Sequence, residues 1–129
     1  MSAGNEVSLY DRVGGFAFFE ALVDHFYDGV ASDPLLRPMY PDDLTDAKRH
    51  LALFLAQYWG GPGTYSDLRG HPRLRMRHLP FAIGPPERDA WVAHMQAALQ
   101  AMDPDPVSTR ELSDYLSAAA THLINQATC

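Results

Sequence analysis

The sequence predicts an all-α fold, and three observations carry that prediction. Apolar residues recur at helical spacing in four long stretches, no segment alternates apolar and polar residues as a half-buried strand does, and glycine or proline clusters stand at the boundaries. Four amphipathic helices must bury their stripes against one another, which gives two helix pairs packed around one core. At 129 residues the chain is expected to form a single domain over 1–129, with 1–7 as a flexible tail. It is long enough to hold a core without disulfide or metal staples.

The first stripe is Phe16, Phe19, Val23, Phe26, Tyr27 and Val30, preceded by Gly14 and Gly15 as a natural breaker. The stretch "DPLLRPMYP" then reads as one short helical turn. The same offsets return at Leu44, Ala47, Leu51, Phe54, Leu55 and Tyr58, with Asp42 or Asp43 available to cap the start and "GGPG" to end the helix. A further short helical segment is expected to start at Pro72 and run to His78. Gly84, Pro85 and Pro86 open the third long helix, because proline suits a first turn that has no use for its amide hydrogens. Its stripe is Trp91, Met95, Ala98, Leu99 and Met102, and "DPDP" stops it. Ser108 with Glu111 reads as a capping box leading into Leu112, Tyr115, Leu116, Ala119 and Leu123.

Composition narrows function by exclusion. A formal net charge of −6 argues against sequence-independent nucleic-acid binding, which depends on phosphate neutralisation. The single cysteine is Cys129, so one chain can build no internal disulfide, cysteine-rich zinc site or iron–sulfur cluster. No secretory leader is recognisable, and the longest aliphatic or aromatic run, "LALFLA", is far too short for a membrane span. A cytoplasmic location is the expectation. The serines lack a nucleophile-elbow setting, and "RVGGF" and "WGGPGT" match neither a dinucleotide fingerprint nor a phosphate loop.

Against this acidic background "RGHPRLRMRH", residues 69–78, holds four of the ten basic residues and two of the six histidines. No two of the histidines stand at i, i+3 or i+4, so a self-contained zinc site is not expected. One imidazole is nevertheless enough for haem, whose porphyrin supplies four ligands. His78 is the best placed, flanked by Leu74, Met76, Leu79 and Phe81. Its second ring nitrogen can donate to a backbone carbonyl one turn back, fixing tautomer and orientation. The blander reading is a satisfied core histidine.

The arginines divide similarly. Arg73 and Arg77 lie within a turn of His78 and match carboxylates such as haem propionates in geometry, whereas Arg75 is expected to face water. Salt bridges to acids such as Asp67 account for others. On the inward faces Tyr27, Tyr40, Tyr58 and Trp91 each need a partner for a polar atom. A backbone carbonyl is expected for Tyr58, and the group together suggests a polar pocket in an apolar wall.

The stretches "YDRVGG", "HFYDGVASDPLLRPMYP", "LFLAQYWGGPGTYSDLRGHPRLRMRHLPF" and "ERDAW" resemble the group II truncated haemoglobins, small globins with a two-over-two helical sandwich around haem b. The likeness runs from about Leu9 to Met102. Carried over residue by residue, it makes His78 the proximal iron ligand and Trp91 the distal tryptophan. Tyr27 becomes the tyrosine of the first long helix, and Tyr40 occupies a position that varies between tyrosine and phenylalanine. Ala47 takes the place of the distal histidine of other globins, with Leu51 and Phe54 as pocket walls. Tyr58, Tyr65, Met76 and Phe81 complete the expected haem contacts, together with Tyr40, Trp91, Arg73 and Arg77. His50 stands where relatives often carry an arginine at the haem edge.

The resemblance implies binding of O2, CO, NO or peroxide, with Trp91, Tyr27 and Tyr40 as the reactive-site donors. Slow O2 release follows from such donors, which favours NO dioxygenation or peroxidase chemistry supported by an external reductase over rapid O2 delivery. A homodimer is compatible with this. The competing readings are an O2 carrier or store, a sensor, and a haem-free helical module that binds a partner or small anion through the arginine patch.

Overall fold

A computed structural model of the chain describes residues 7–125, apart from the side chain of Arg75. The expectation that Arg75 faces water therefore lies outside the described residues, as do Cys129 and all of the expected tail except Val7, which is exposed. The described elements are α1 (Leu9–Arg12), α2 (Phe16–Ala31), a 3-10 turn (Arg37–Met39), α3 (Thr45–Tyr58), α4 (Thr64–Arg69), α5 (Leu74–His78), α6 (Pro85–Met102) and α7 (Pro106–His122). No strand occurs among the described residues, and no helix there is long and apolar enough to cross a membrane.

The four long helices form because their apolar residues share a face, and that face is what they bury. Phe19, Leu22, Phe26 and Val30 of α2 are almost fully inaccessible, as are Leu55 of α3, Met95 and Leu99 of α6, and Leu112 of α7. Each such side chain stabilises the fold by about 1.5–3 kcal/mol through its burial. α2 packs on both α3 and α6, and α6 packs on α7. The result is the two-over-two helical arrangement, α2 with α3 and α6 with α7, joined through α2 and α6.

The structure corrects three helix starts, and α5 begins at Leu74 rather than Pro72. α7 begins at Pro106 with Asp105 as its cap: the Asp105 carboxylate accepts the Ser108 amide at 2.9 Å. Ser108 is instead buried inside the helix, its hydroxyl accepting from Arg12 Nε at 3.3 Å, and Glu111 pairs with the Arg12 guanidinium at 3.0 Å. There is no capping box at Ser108 and Glu111, because an aspartate followed by proline one residue later makes the better helix entry. In α3 neither aspartate is the cap residue. Leu44 occupies that position, and Asp43 accepts the Thr45 amide at 2.9 Å just ahead of the helix.

Two short helices, α1 and α4, carried no periodic signal because neither completes two turns. The position of α1 explains the glycines that follow α3. Tyr10 donates its amide to the Trp59 carbonyl at 3.0 Å, and α1 lies so close that a Cβ on Gly60 would sit 2.7 Å from Ser8 Cβ. Gly60 also has φ +107°, a backbone region that favours glycine.

Candidate functional site

The helices frame a half-open cavity of about 260 Å³ walled by α2, α3, α6 and α7 and bordered by α4 and α5. On one part of its wall stands His78, the last residue of a five-residue helix. In this short helix Leu74 shares the inward face with Arg77 and His78, three and four residues on, and all three line the cavity. His78 Nδ1 lies 2.6 Å from the Leu74 carbonyl oxygen. A carbonyl can only accept, so Nδ1 carries a proton, and in the neutral imidazole Nε2 then holds the lone pair.

The loop after His78 is held by Asn125, three residues beyond α7. Asn125 Nδ2 donates to the Phe81 carbonyl at 2.8 Å and to the His78 carbonyl at 3.3 Å, while its Oδ1 accepts the Ile83 amide at 2.9 Å. Nothing in the periodicity marked Asn125, which lies beyond the last stripe. His71, by contrast, supports the start of α5: its Nδ1 accepts the Arg73 amide at 3.1 Å, where Arg73 takes a left-handed conformation with φ 47°.

A second part of the wall is polar and aromatic. Tyr27 from α2, Tyr40 from the turn before α3 and Trp91 from α6 all line the cavity. The Tyr27 and Tyr40 rings meet edge to face at 5.4 Å, and Trp91 packs on Phe26 at 5.1 Å. The Tyr40 hydroxyl interacts with both the Trp91 indole and the Tyr27 hydroxyl. Burial pushes the Tyr40 hydroxyl up to about 12 and, with Tyr40 alongside, raises Tyr27 further above the ordinary tyrosine value. Both phenols therefore keep their protons at neutral pH. Tyr27, Tyr40 and Trp91 thus bring three polar hydrogens to this part of the cavity. Ala47, Leu51, Phe54 and Tyr65 complete an apolar surround, with Phe54 and Tyr65 in edge contact at 5.5 Å.

At a third part of the wall lie Arg69, His50 and Arg77. One Arg69 guanidinium nitrogen is 2.7 Å from His50 Nδ1, while Arg69 Nε is buried with no hydrogen-bond partner. Burial, followed by the nearby Arg69 charge, lowers the His50 pKa. Arg77 donates to the Pro72 carbonyl at 2.8 Å and the Arg69 carbonyl at 3.2 Å, tying α4 to α5.

Of the residues expected from sequence, the cavity thus brings together His78, Tyr27, Tyr40, Trp91, Ala47, Leu51, Phe54, Tyr65 and Arg77. Four expected contacts do not line it. Met76 is 59% exposed because, two residues from His78, it projects from the far side of α5. Arg73 is exposed at the entry to α5, and Phe81 sits in the following loop with its ring 6.5 Å from that of His78. Tyr58 is 52% exposed: α3 ends there, so its ring stacks at 4.0 Å on Tyr115. The cavity also takes Arg69 and much of α7, including Tyr115, Leu116 and Ala120.

Residues 8–125 match the family model of the bacterial-like globins. The chain belongs to that family. This globin is 42% identical to Group 2 truncated hemoglobin YjbI of Bacillus subtilis, over 91% of its own length and 88% of that protein's. It is 50% identical to the crystallised hemoglobin of Chloroflexus aurantiacus, with a TM-score of 0.92, covering 94% of this chain and all of that one. A truncated oxygen-avid haemoglobin from Bacillus subtilis superimposes with a TM-score of 0.88 at 40% identity, covering 92% of the globin and all of that structure.

Haem b is the cofactor of this family, and the cavity of the globin fits it in two respects. The His78 tautomer leaves one ring nitrogen able to bind a metal, and its Nδ1 bond supplies the support that ligating histidines ordinarily have. The buried, unpartnered Arg69 Nε beside His50 is a donor set suited to a carboxylate, such as a propionate at the porphyrin edge. An orphaned buried donor is costly, and a carboxylate there would remove that cost.

Proposed function

We propose that this globin holds O2 tightly at a haem ligated by His78 and uses it, or NO and peroxide, in redox chemistry rather than for rapid delivery. The single observation that carries this reading is the arrangement around Tyr40. Tyr40, Trp91 and Tyr27 bring three polar hydrogens together in one cavity, a donor cluster for a small ligand. The relative described as oxygen-avid supports the same reading.

Bound haem b supplies an iron that takes one ligand from the protein and leaves one position for a diatomic gas or peroxide. His78 Nε2 would hold the iron, with Leu74 fixing the ring, and Arg69 with His50 would hold a propionate. Tyr40, Trp91 and Tyr27 stabilise negative charge that develops on a ligand, and the apolar wall of Leu51, Phe54 and Ala47 excludes water that would compete for those donors. A hydrogen bond to a charged acceptor is worth about 1.5–3 kcal/mol. At about 1.4 kcal/mol per tenfold, one donor slows release by roughly ten- to a hundredfold. Conversion of NO and O2 to nitrate needs one electron per cycle, which an external reductase would provide.

The test is stopped-flow O2 release from the haem-loaded protein and its variants. Trp91→Phe and Tyr40→Phe should each accelerate release by roughly ten- to a hundredfold. Unchanged rates in both would overturn the donor assignment. A purified protein with no Soret band, which cannot be reconstituted with haemin, would instead favour an anion-binding helical module.

A further inference from the structure

Outside the cavity, one polar pair joins the two elements that carry the distal donors. His94 Nε2 lies 2.7 Å from Asp33 Oδ2. His94 stands on α6 one turn after Trp91, and Asp33 opens the segment that ends at Tyr40. Neither side chain is well exposed, at 25% and 17%.

Asp33 is bonded to the turn that follows it. Its Oδ1 accepts the Leu35 amide at 2.9 Å and the Leu36 amide at 3.4 Å, and its carbonyl accepts the Arg37 amide at 2.8 Å. The Tyr40 amide donates in turn to the Arg37 carbonyl at 3.2 Å, and the Arg37 guanidinium donates to the carbonyls of Tyr40, Pro41 and Asp42. From His94 to the Tyr40 backbone the connection is a continuous series of hydrogen bonds. The His94 bond and the Leu35 amide also hold the Asp33 carboxyl below the usual carboxylate range, so the acceptor is charged in neutral solution.

Gly29 supplies an independent observation. It lies inside α2, where glycine is a poor choice on propensity alone. A Cβ at that position would overlap His94 Nδ1. The helix therefore gives up side-chain cover at the point where the imidazole passes across it to reach Asp33.

The structure assigns His94, Asp33 and Gly29 the role of a latch that holds the Tyr40 turn in register with Trp91 and so sets how long a ligand is retained. These are positioning residues, since they act only through Tyr40. The inference rests on the reading that Tyr40 and Trp91 hold the ligand.

The test compares haem-loaded parent, His94→Leu, Gly29→Ala and His94→Gln by stopped-flow O2 release, the Fe–CO stretching frequency and hydrogen exchange of the Arg37 and Tyr40 amides. His94→Leu and Gly29→Ala should each speed O2 release by about three- to tenfold, shift the Fe–CO frequency and accelerate amide exchange. His94→Gln, which keeps a nitrogen donor, should restore parental values in part. Gly29→Ala retains both partners and improves helix propensity, so it carries the test by itself if His94→Leu does not fold. Parental release and Fe–CO frequency in Gly29→Ala, with Tyr40→Phe still fast, would overturn the latch alone. Parental release in Tyr40→Phe and Trp91→Phe as well would overturn the reading beneath it.

Discussion

His78 Nδ1 and the Leu74 carbonyl oxygen are 2.6 Å apart across a single helical turn, so the imidazole is oriented by the same short helix that carries it. Removing the ring should remove the metal ligand while leaving the carbonyl solvated. His78→Gly is expected to lose stable haem binding, and added imidazole should restore a Soret band. A parental spectrum without imidazole would reject His78 as the ligand.

Arg69 gives a prediction whose size depends on the cofactor. Its buried Nε has no partner while another guanidinium nitrogen meets His50 Nδ1 at 2.7 Å, so in the apoprotein Arg69→Met trades an unsatisfied donor against one lost hydrogen bond and should change the melting temperature little. With haem the same change removes a charge-assisted contact and should speed haem transfer to a scavenger globin by roughly tenfold or more. Equal effects in both states would count against a carboxylate at Arg69.

The acid limb of stability should respond to Asp33. Its folded pKa is lowered below the unfolded value of 3.8, first by the His94 bond and then by the Leu35 amide. A depressed carboxylate binds fewer protons folded than unfolded, so its contribution is fully present above the unfolded pKa and fades as pH falls through the folded one. Melting curves of parent and Asp33→Asn should therefore differ most above about pH 4 and converge in stronger acid. Curves that diverge as pH falls would contradict this sign.

The start of α7 offers a check on its cap. Asp105→Ala removes the acceptor of the Ser108 amide and should destabilise the protein by about 1 kcal/mol. Glu111→Ala breaks only a partly exposed pair with Arg12 and should cost at most about 1 kcal/mol, measurable by urea denaturation. A larger loss from Glu111→Ala would restore the capping-box reading.

Much of this architecture was legible in the residues themselves. The stripes from Phe16 to Val30 and from Trp91 to Met102 mark α2 and α6, since helical period is a property of neighbouring positions. Gly84 with Pro85 and Pro86 likewise marked the entry to α6, where Glu87 also accepts the Gly84 amide at 2.8 Å. The α7 cap was misread because "PDPVSTRE" contains two competing entry signals, and which oxygen reaches which amide depends on where the preceding turn deposits the chain.

By itself the sequence determined four amphipathic helices, one core, and a histidine able to bond its own helix, all matters of spacing within a few residues. Tertiary structure decided that Arg69 meets His50 across 19 positions, that Asn125 clamps the loop after His78 across 47, and that His94 reaches Asp33 across 61. It also turned Met76 and Tyr58 outward and brought α7 into the cavity wall. The reason is physical: a local period fixes which face of a helix is apolar, whereas the partner that face or its polar rim meets is set only when whole helices pack.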